Sequence, residues 1–223
     1  MSKDNNFTEI NFNGEFFPNW HIFTYLAIIN FLIAFLASEF IFTREFYYTI
    51  FSDQMELTRI DKYVDIIKRF SFWSLLLLPL FLLIRYLVIA LLLQIPLLIR
   101  YIEISFTYLF RWVMFASIVL TVGQIFYFLR IYFTIKEKIS SSLFTIQPLS
   151  LATMINPDEY SSTAISILNQ FNLFDMAWGF ILYIGLLKTG KIKKIDAFLL
   201  VLCIWTFLLT LQWAVLFFLE KIQ

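Results

Sequence analysis

The sequence predicts an all-α protein, a polytopic transmembrane helical bundle with about five spans and one interfacial amphipathic helix. Of its 223 residues, 61% are hydrophobic and 15% are charged, whereas soluble domains are about 45–50% apolar and about 25% charged. Because much of the surface of a small soluble domain must face water, this composition favours a lipid environment. The apolar residues form continuous runs of spanning length, unlike the alternating pattern of a membrane β-barrel.

Five apolar runs predict the spans, since a helix needs about 20 residues to cross the hydrocarbon core. Helices are expected because they satisfy their own backbone hydrogen bonds in lipid. The runs cover residues 20–43, 72–99, 105–129, 171–187 and 197–219, and the fourth is the shortest. Residues 1–19 then form an N-terminal tail without the layout of a signal peptide, and residues 20–219 form one transmembrane domain in which 134–170 are a long polar loop.

The second run is interrupted by Pro79, Arg85 and Pro96. Proline removes a backbone donor and tends to kink a helix, so one long kinked span is the favoured interpretation. The alternative is a re-entrant arrangement, in which two half-length segments meet near Arg85.

Residues 52–70 have the pattern of an amphipathic helix. Leu57, Ile60, Val64 and Ile67 recur at helical spacing, and charged residues lie between them. The position directly before a span favours a helix lying in the membrane interface. The alternative is a solvated helix that packs on the protein's own loops.

Ionisable residues within the runs are Glu39, Arg85 and Arg111. Charges in lipid are costly and often functional. Arg85 is the candidate buried charge because it lies deepest in its run. A functional role would be to bind an anionic group or a partner chain. A structural role, which we favour, would be to snorkel or to donate to carbonyls freed near a proline.

No residue pattern indicates catalysis, a cofactor or a metal site. His21 is the only histidine and Cys203 the only cysteine, and Cys203 is expected to be an inert buried thiol. Metal-ligand spacings, nucleophile motifs and glycine-rich phosphate loops are missing from the sequence. A net charge of +1 gives no reason to expect nucleic-acid binding. We therefore expect no enzyme activity and no cofactor.

The fourth run carries a candidate packing seam. Asp175, Trp178, Leu182 and Gly185 are spaced i, i+3, i+7 and i+10, which places them along one helix face. A glycine in such a face lets another helix approach closely. The seam is expected to hold the bundle together or to bind a partner.

This region also resembles a known family. The pattern formed by Phe174, Asp175, Trp178, Leu182, Gly185 and Leu186 is similar to the penultimate span of the Yip (Ypt-interacting-protein-like) family. The lysine-bearing loop 188–194 and the last span from Ala197 to Trp205 match as well, so the resemblance covers residues 171–206. It implies five spans and a non-enzymatic scaffold or accessory subunit for other membrane proteins, such as export or ABC-type transporters. The bacterial branch implies the inner (plasma) membrane.

The sequence allows two orientations of the chain in the membrane and more than one function. Six basic residues lie on the N-terminal side of the spans and nine on the other, which leans weakly towards an outer N-terminus. The resemblance implies a cytoplasmic N-terminus, and we adopt that orientation. The favoured function is a scaffold, and the alternative is a small-solute transporter or channel with Arg85 in the pathway. A lipid-modifying enzyme is a third hypothesis, which the missing acid–base residues disfavour.

Overall fold

A computed structural model of the chain describes residues 19–51, 56–135, 146–156, 159–160 and 162–222. Within these ranges the protein is helical, and the predicted all-α bundle is confirmed. The helices are α1 (Asn19–Phe40), α2 (Arg44–Phe51), α3 (Leu57–Ile99), α4 (Phe106–Ile135), α5 (Ser162–Gln170), α6 (Leu173–Leu187) and α7 (Lys194–Ile222). A 3₁₀ turn covers Leu151–Met154. The predicted tail, apart from Asn19, and residues 136–145 of the predicted loop lie outside the described residues.

In the part of the chain that the structure describes, four helices are long and apolar enough to cross a membrane: Trp20–Phe40, Leu57–Ile99, Phe106–Thr134 and Lys194–Val215. By length and composition, the chain is therefore a multi-pass membrane protein. Helix α6 is also apolar but has 15 residues, or about 22 Å at about 1.5 Å per residue, against a hydrocarbon core of about 30 Å. The fifth crossing stays a prediction.

Contacts along the helices define their directions. Asn30 of α1 donates to Thr121 of α4 over 3.1 Å, and ten residues later Phe40 meets the ring of Tyr132. Because both positions advance together, α1 and α4 run parallel.

Helix α3 runs in the opposite direction. Phe23 near the start of α1 meets Tyr86 in the second half of α3. Arg44, which follows α1, pairs instead with Asp65 near the start of α3, so α3 is antiparallel to α1 and therefore to α4. This alternation is what successive membrane crossings require.

The connections before α4 and before α7 lie at the same end of the bundle. Arg100 forms a 2.8 Å ion pair with Asp196, and Lys191 donates over 2.6 Å to the carbonyl oxygen of Glu103. These contacts join residues 100–105 to residues 188–196, as expected for two loops on one side of a membrane.

Helix α3 joins two elements that the sequence analysis separates. The described part of the predicted amphipathic segment and the second predicted span form one helix of 43 residues, which continues through Pro79 and Pro96. The re-entrant alternative is therefore wrong. At about 1.5 Å per residue the helix is about 64 Å long, roughly twice the hydrocarbon thickness. Its first part must therefore project beyond the hydrocarbon.

Helix α2 packs against this projecting part. Ile60 and Val64 are fully buried in a cluster with Phe46 and Tyr47, whereas Leu57 at the start of α3 remains 63% exposed. Most of the apolar face that predicts an interfacial helix is thus covered by α2, as in the alternative interpretation. A position in the membrane interface stays a prediction. We call α2 with residues 57–71 of α3 the α2–α3 arm.

The main hydrophobic core lies where α3, α4, α6 and α7 meet, and α1 contributes Leu26. Its fully buried side chains include Tyr86, Leu93, Leu109, Met114, Val113 and Leu182. Burial of such side chains is the main stabilising contribution within the bundle.

Candidate functional site

The interface of α4 and α6 is built on glycines that face aromatic rings. A Cβ atom on residue 185 would lie 2.5 Å from Cδ2 of Trp112, and one on residue 123 would lie 2.8 Å from Cγ of Phe174. The Tyr108 hydroxyl donates over 2.9 Å to the carbonyl oxygen of Gly185. Glycine therefore lets the two helices approach more closely than any larger residue would.

One residue of the predicted seam, Gly185, lies in this interface, and the others are mostly buried in the bundle as well. Trp178 and Leu182 are 3% and 1% exposed, and Gly185 is buried as well. The seam therefore packs the bundle, which is one of the two roles expected for it, and these three residues are covered. Asp175 differs, since its side chain is half-buried and lines a cavity.

Asp175 is held by the residue that caps its helix. The side-chain oxygen of Asn172 accepts from the backbone N–H of Asp175 over 2.8 Å, a standard N-cap contact. The Asn172 amide also donates to Oδ2 of Asp175 in a short hydrogen bond, and over 3.0 Å to the side chain of Gln147. One buried amide thereby links the start of α6 to the preceding loop.

The loop itself is organised by buried polar side chains. Oδ1 of Asn169 accepts from the backbone N–H of Gln147 over 2.9 Å and from Oγ of Ser150 over 3.1 Å. Ser150 and Asn172 also form an isolated antiparallel bridge. Residues 147–150 and 169–172, which we call the polar cap, thus close the end of α6. Within the polar cap the buried side chains of Asn169, Ser150 and Asn172 are hydrogen-bonded, as buried polar groups generally are.

A small cavity of about 100 Å³ lies beside the polar cap. We call it the Arg85 cavity. Its lining residues are Arg85, Ile89, Leu120, Gln170, Asp175, Trp178, Trp205, Leu208, Leu209 and Gln212. The helices α3, α6 and α7 supply most of this lining, so the cavity lies within the bundle near the polar cap.

Two of these residues have buried polar atoms without a partner in the part of the chain that the structure describes. They are Nε2 and Oε1 of Gln170, which is 6% exposed, and Nε1 of Trp178. Buried polar groups are nearly always hydrogen-bonded, so such atoms call for an explanation. These atoms are shielded from a water-sized probe, so they would meet a ligand in the cavity after a rotation of the Gln170 and Trp178 side chains.

Arg85, the candidate buried charge, is exposed on the protein surface at the mouth of the cavity, as is Gln212. This exposure is compatible with the favoured structural role, in which the guanidinium snorkels, and the depth of Arg85 in the membrane stays a prediction. The buried stripe of α3 centres on Tyr86 and Leu93, and Arg85 lies about 100° around the helix from Tyr86. This position at the edge of the stripe allows the guanidinium group to reach the cavity without being enclosed.

The other singled-out residues lie apart from this site. Glu39 is exposed near the end of α1, and His21 is exposed near its start. Cys203 is exposed on α7, so the expectation of a buried thiol is wrong. No group of three or more His, Cys, Asp or Glu that could hold a metal ion occurs among the described residues.

Sequence reasoning missed Gln170 and Gln212 as members of the site. Gln212 is the only amide side chain in the apolar run 197–219, and this isolation within a predicted span was the signal available. Gln170 precedes α6 in a polar segment, where nothing in the sequence distinguishes it from its neighbours.

Comparisons with protein-family models, with curated proteins and with solved structures gave no match for this chain.

Proposed function

We propose that the protein is a non-enzymatic membrane scaffold or accessory subunit that binds other integral membrane proteins, with an export or ABC-type transporter complex as the partner class. The observation that carries the proposal is the α2–α3 arm. Helix α3 has 43 residues, about 64 Å, and the hydrocarbon core is about 30 Å thick. The arm therefore extends from the membrane as a surface that a partner can contact.

Polar contacts brace the arm. Arg44 of α2 forms a 2.8 Å ion pair with Asp65 of α3, and the Tyr48 hydroxyl donates to the carboxylate of Asp61. Together with the buried cluster beneath them, these contacts fix α2 on α3. A preorganised surface loses less conformational entropy when a partner binds.

The arm and the next residues of α3 also present apolar side chains along one line. Ile66, Phe70 and Trp73 are 54%, 70% and 59% exposed, and their spacing of i, i+4 and i+7 puts them on one helix face. Aromatic side chains are enriched at the centres of protein interfaces. This line leads from the arm into the membrane, as a contact with another membrane protein would.

The resemblance to the Yip family supports the same role. It rests on the pattern from Phe174 to Leu186 and on the lysine-bearing loop that follows. A cytoplasmic N-terminus and a bacterial inner membrane belong to the proposal on this basis. The non-enzymatic role rests on the missing catalytic motifs of the sequence.

Affinity purification from native membranes in mild detergent tests the scaffold. The wild-type chain should recover a membrane protein in stoichiometric amount, and the double variant Ile66→Ala, Phe70→Ala should lose most of it. The matched control is Ile95→Ala, Ile99→Ala on the same helix, where the side chains are 53% and 72% exposed. Repeated recovery of the chain alone would contradict the proposal, and equal loss in both variants would exclude the arm as the contact.

The second candidate function is a small-solute transporter or channel with Arg85 in the pathway. The Arg85 cavity favours it, because a cation, a carboxylate and two amides converge there, and polar groups at membrane depth often mark a substrate path. Proteoliposomes should then show solute flux that Arg85→Ala changes and that Arg69→Ala, on the same helix but in the arm, leaves intact. Absence of flux over a broad solute panel would rule this function out.

A further inference from the structure

We infer that the Arg85 cavity binds the headgroup of a zwitterionic phospholipid of the phosphoethanolamine type. In this assignment the phosphate lies at Arg85 and Trp178, and the ammonium lies at Asp175. The inference is independent of the scaffold proposal, since it concerns a different part of the molecule from the α2–α3 arm.

The chemistry of the lining indicates a ligand with both charges. The guanidinium of Arg85 and the indole N–H of Trp178 are donors suited to phosphate oxygens. Asp175 provides a carboxylate, of which Asn172 contacts Oδ2. A simple anion would face this carboxylate at close range, and like charges repel at such distances. A ligand that carries a phosphate and an ammonium uses both ends of the site.

Gln170 strengthens this assignment because its unpartnered amide has a donor and an acceptor. Its Nε2 and Oε1 atoms are both buried and both lack partners among the described residues. Once the Gln170 side chain rotates towards the cavity, the phosphate can accept from Nε2, while the ammonium, with three N–H donors, can donate to Oε1. The hydrogen-bonding needs of the lining and of the headgroup therefore match.

The mouth of the cavity indicates that the headgroup belongs to a lipid. Phe81 and Val88 are 60% and 44% exposed and stand four residues before and three after Arg85, on the same face of α3. On α7, Val215 is 53% exposed and lies three residues after Gln212. The polar mouth is thus flanked by apolar surface of the kind that acyl chains cover.

The depth of the site also suits a headgroup. The apolar surface of α6 ends at its first turn, where Asn172 and the rest of the polar cap begin. Asp175 is three residues further along, about 4–5 Å deeper at about 1.5 Å per residue. Because α6 is shorter than the hydrocarbon core is thick, local thinning of the bilayer would bring headgroups to this level.

Native mass spectrometry of the full-length protein, with added lipids of identical acyl chains, tests the inference. Phosphatidylethanolamine should be retained at least about tenfold more strongly than phosphatidylglycerol, which lacks the ammonium, and than phosphatidylcholine, whose ammonium has no N–H donor. Arg85→Gln should reduce retention of phosphatidylethanolamine about tenfold or more, whereas Arg69→Gln on the same helix should leave it unchanged.

Two further variants separate binding from folding. Gln170→Met removes the unpartnered amide at nearly constant volume, so it should lower retention several-fold while the thermal stability of the lipid-free protein stays the same or rises. Asp175→Asn should reduce the preference for phosphatidylethanolamine over phosphatidylglycerol.

Three results would overturn the inference. Equal retention of phosphatidylethanolamine by the wild type and by both Arg85→Gln and Gln170→Met would exclude the cavity as the site. Equal retention of phosphatidylglycerol would exclude a zwitterionic ligand. Binding of free phosphoethanolamine as strong as that of the lipid, at matched concentration, would show that the source is a soluble solute and not a membrane lipid.

Discussion

The indole ring of Trp112 lies against the backbone of Gly185, with Cδ2 at 2.5 Å from the place that a Cβ atom on residue 185 would take. Phe174 covers Gly123 in the same way at the other end of the interface. Eleven residues separate Trp112 from Gly123, and eleven separate Phe174 from Gly185. Since eleven residues make about three turns, each helix contributes one ring and one glycine to a single antiparallel contact line.

Gly185→Ala should lower the stability of the bundle by about 1–3 kcal/mol, the usual cost of overpacking a core. The added methyl group would overlap the fused rings of Trp112, which α4 holds in place. The matched control is Gly179→Ala on the same helix, where a Cβ atom would meet Val201 at an ordinary 3.5 Å. Because alanine favours a helix over glycine by up to about 1 kcal/mol, this control should be neutral or stabilising. Thermal unfolding in one detergent measures both, and the reverse ranking would contradict the prediction.

Gly123→Ala should be coupled to the size of residue 174. A Cβ atom at 123 would lie 2.8 Å from Cγ of Phe174, so Gly123→Ala alone and Phe174→Leu alone should each destabilise the protein. In the double variant the smaller leucine leaves room for the methyl group, and the combined loss should fall short of the sum by about 0.5–3 kcal/mol. A double-mutant cycle of unfolding free energies measures this coupling, and strict additivity would argue against the contact.

Asn172→Ala should destabilise the start of α6 by about 1–2 kcal/mol through loss of the N-cap. A further loss should follow because the buried carbonyl oxygen of Asn169 loses the Asn172 amide that donates to it over 3.2 Å. Asn172→Ser separates the two effects, since serine can accept from the Asp175 N–H but cannot donate as the amide does. We expect an intermediate stability for Asn172→Ser in thermal unfolding. If serine and alanine were equally harmful, the cap contact would contribute little.

Tyr48 predicts a pH dependence of the α2–α3 arm. Its hydroxyl donates to Asp61, and this hydrogen bond raises the pKa of Tyr48 above the ordinary value of 10.0. The folded arm therefore favours the neutral phenol, and the resulting stabilisation is fully present below pH 10 and is lost as the pH rises through the raised pKa. Thermal unfolding should show a lower melting temperature for Tyr48→Phe than for the wild type at neutral pH, and this difference should disappear in strong alkali. A difference in melting temperature that stays constant with pH would contradict the role of the hydrogen bond.

Helical spacing alone was enough to predict which residues form the packing seam. Asp175, Trp178, Leu182 and Gly185 share a face because of their positions in the sequence, and the last three are buried in the bundle. Which helix covers them depends on where α4 lies, and spacing within one helix carries no information about another. The pairing with Trp112 therefore required the tertiary structure.

The Arg85 cavity was outside the reach of sequence reasoning for the same reason. Arg85 and Asp175 stand ninety residues apart in the chain, and nothing in either neighbourhood indicates that they line one cavity. A position in the middle of an apolar run also does not show which side of the helix faces its neighbours, and the structure places Arg85 beside the buried stripe of α3.

Multiple apolar helices were determined by the sequence itself, because runs of about 20 apolar residues can satisfy their backbone and their side chains together only as helices in lipid. Tertiary structure decided how these helices are joined and which polar groups meet. It made residues 57–99 one continuous helix, covered most of the amphipathic face with α2, and placed Gly185 of the predicted seam against Trp112 of α4. The physical reason is that the apolar pattern of a helix shows how much of its surface must be kept from water. Which neighbouring helix covers that surface depends on the close packing of particular side chains.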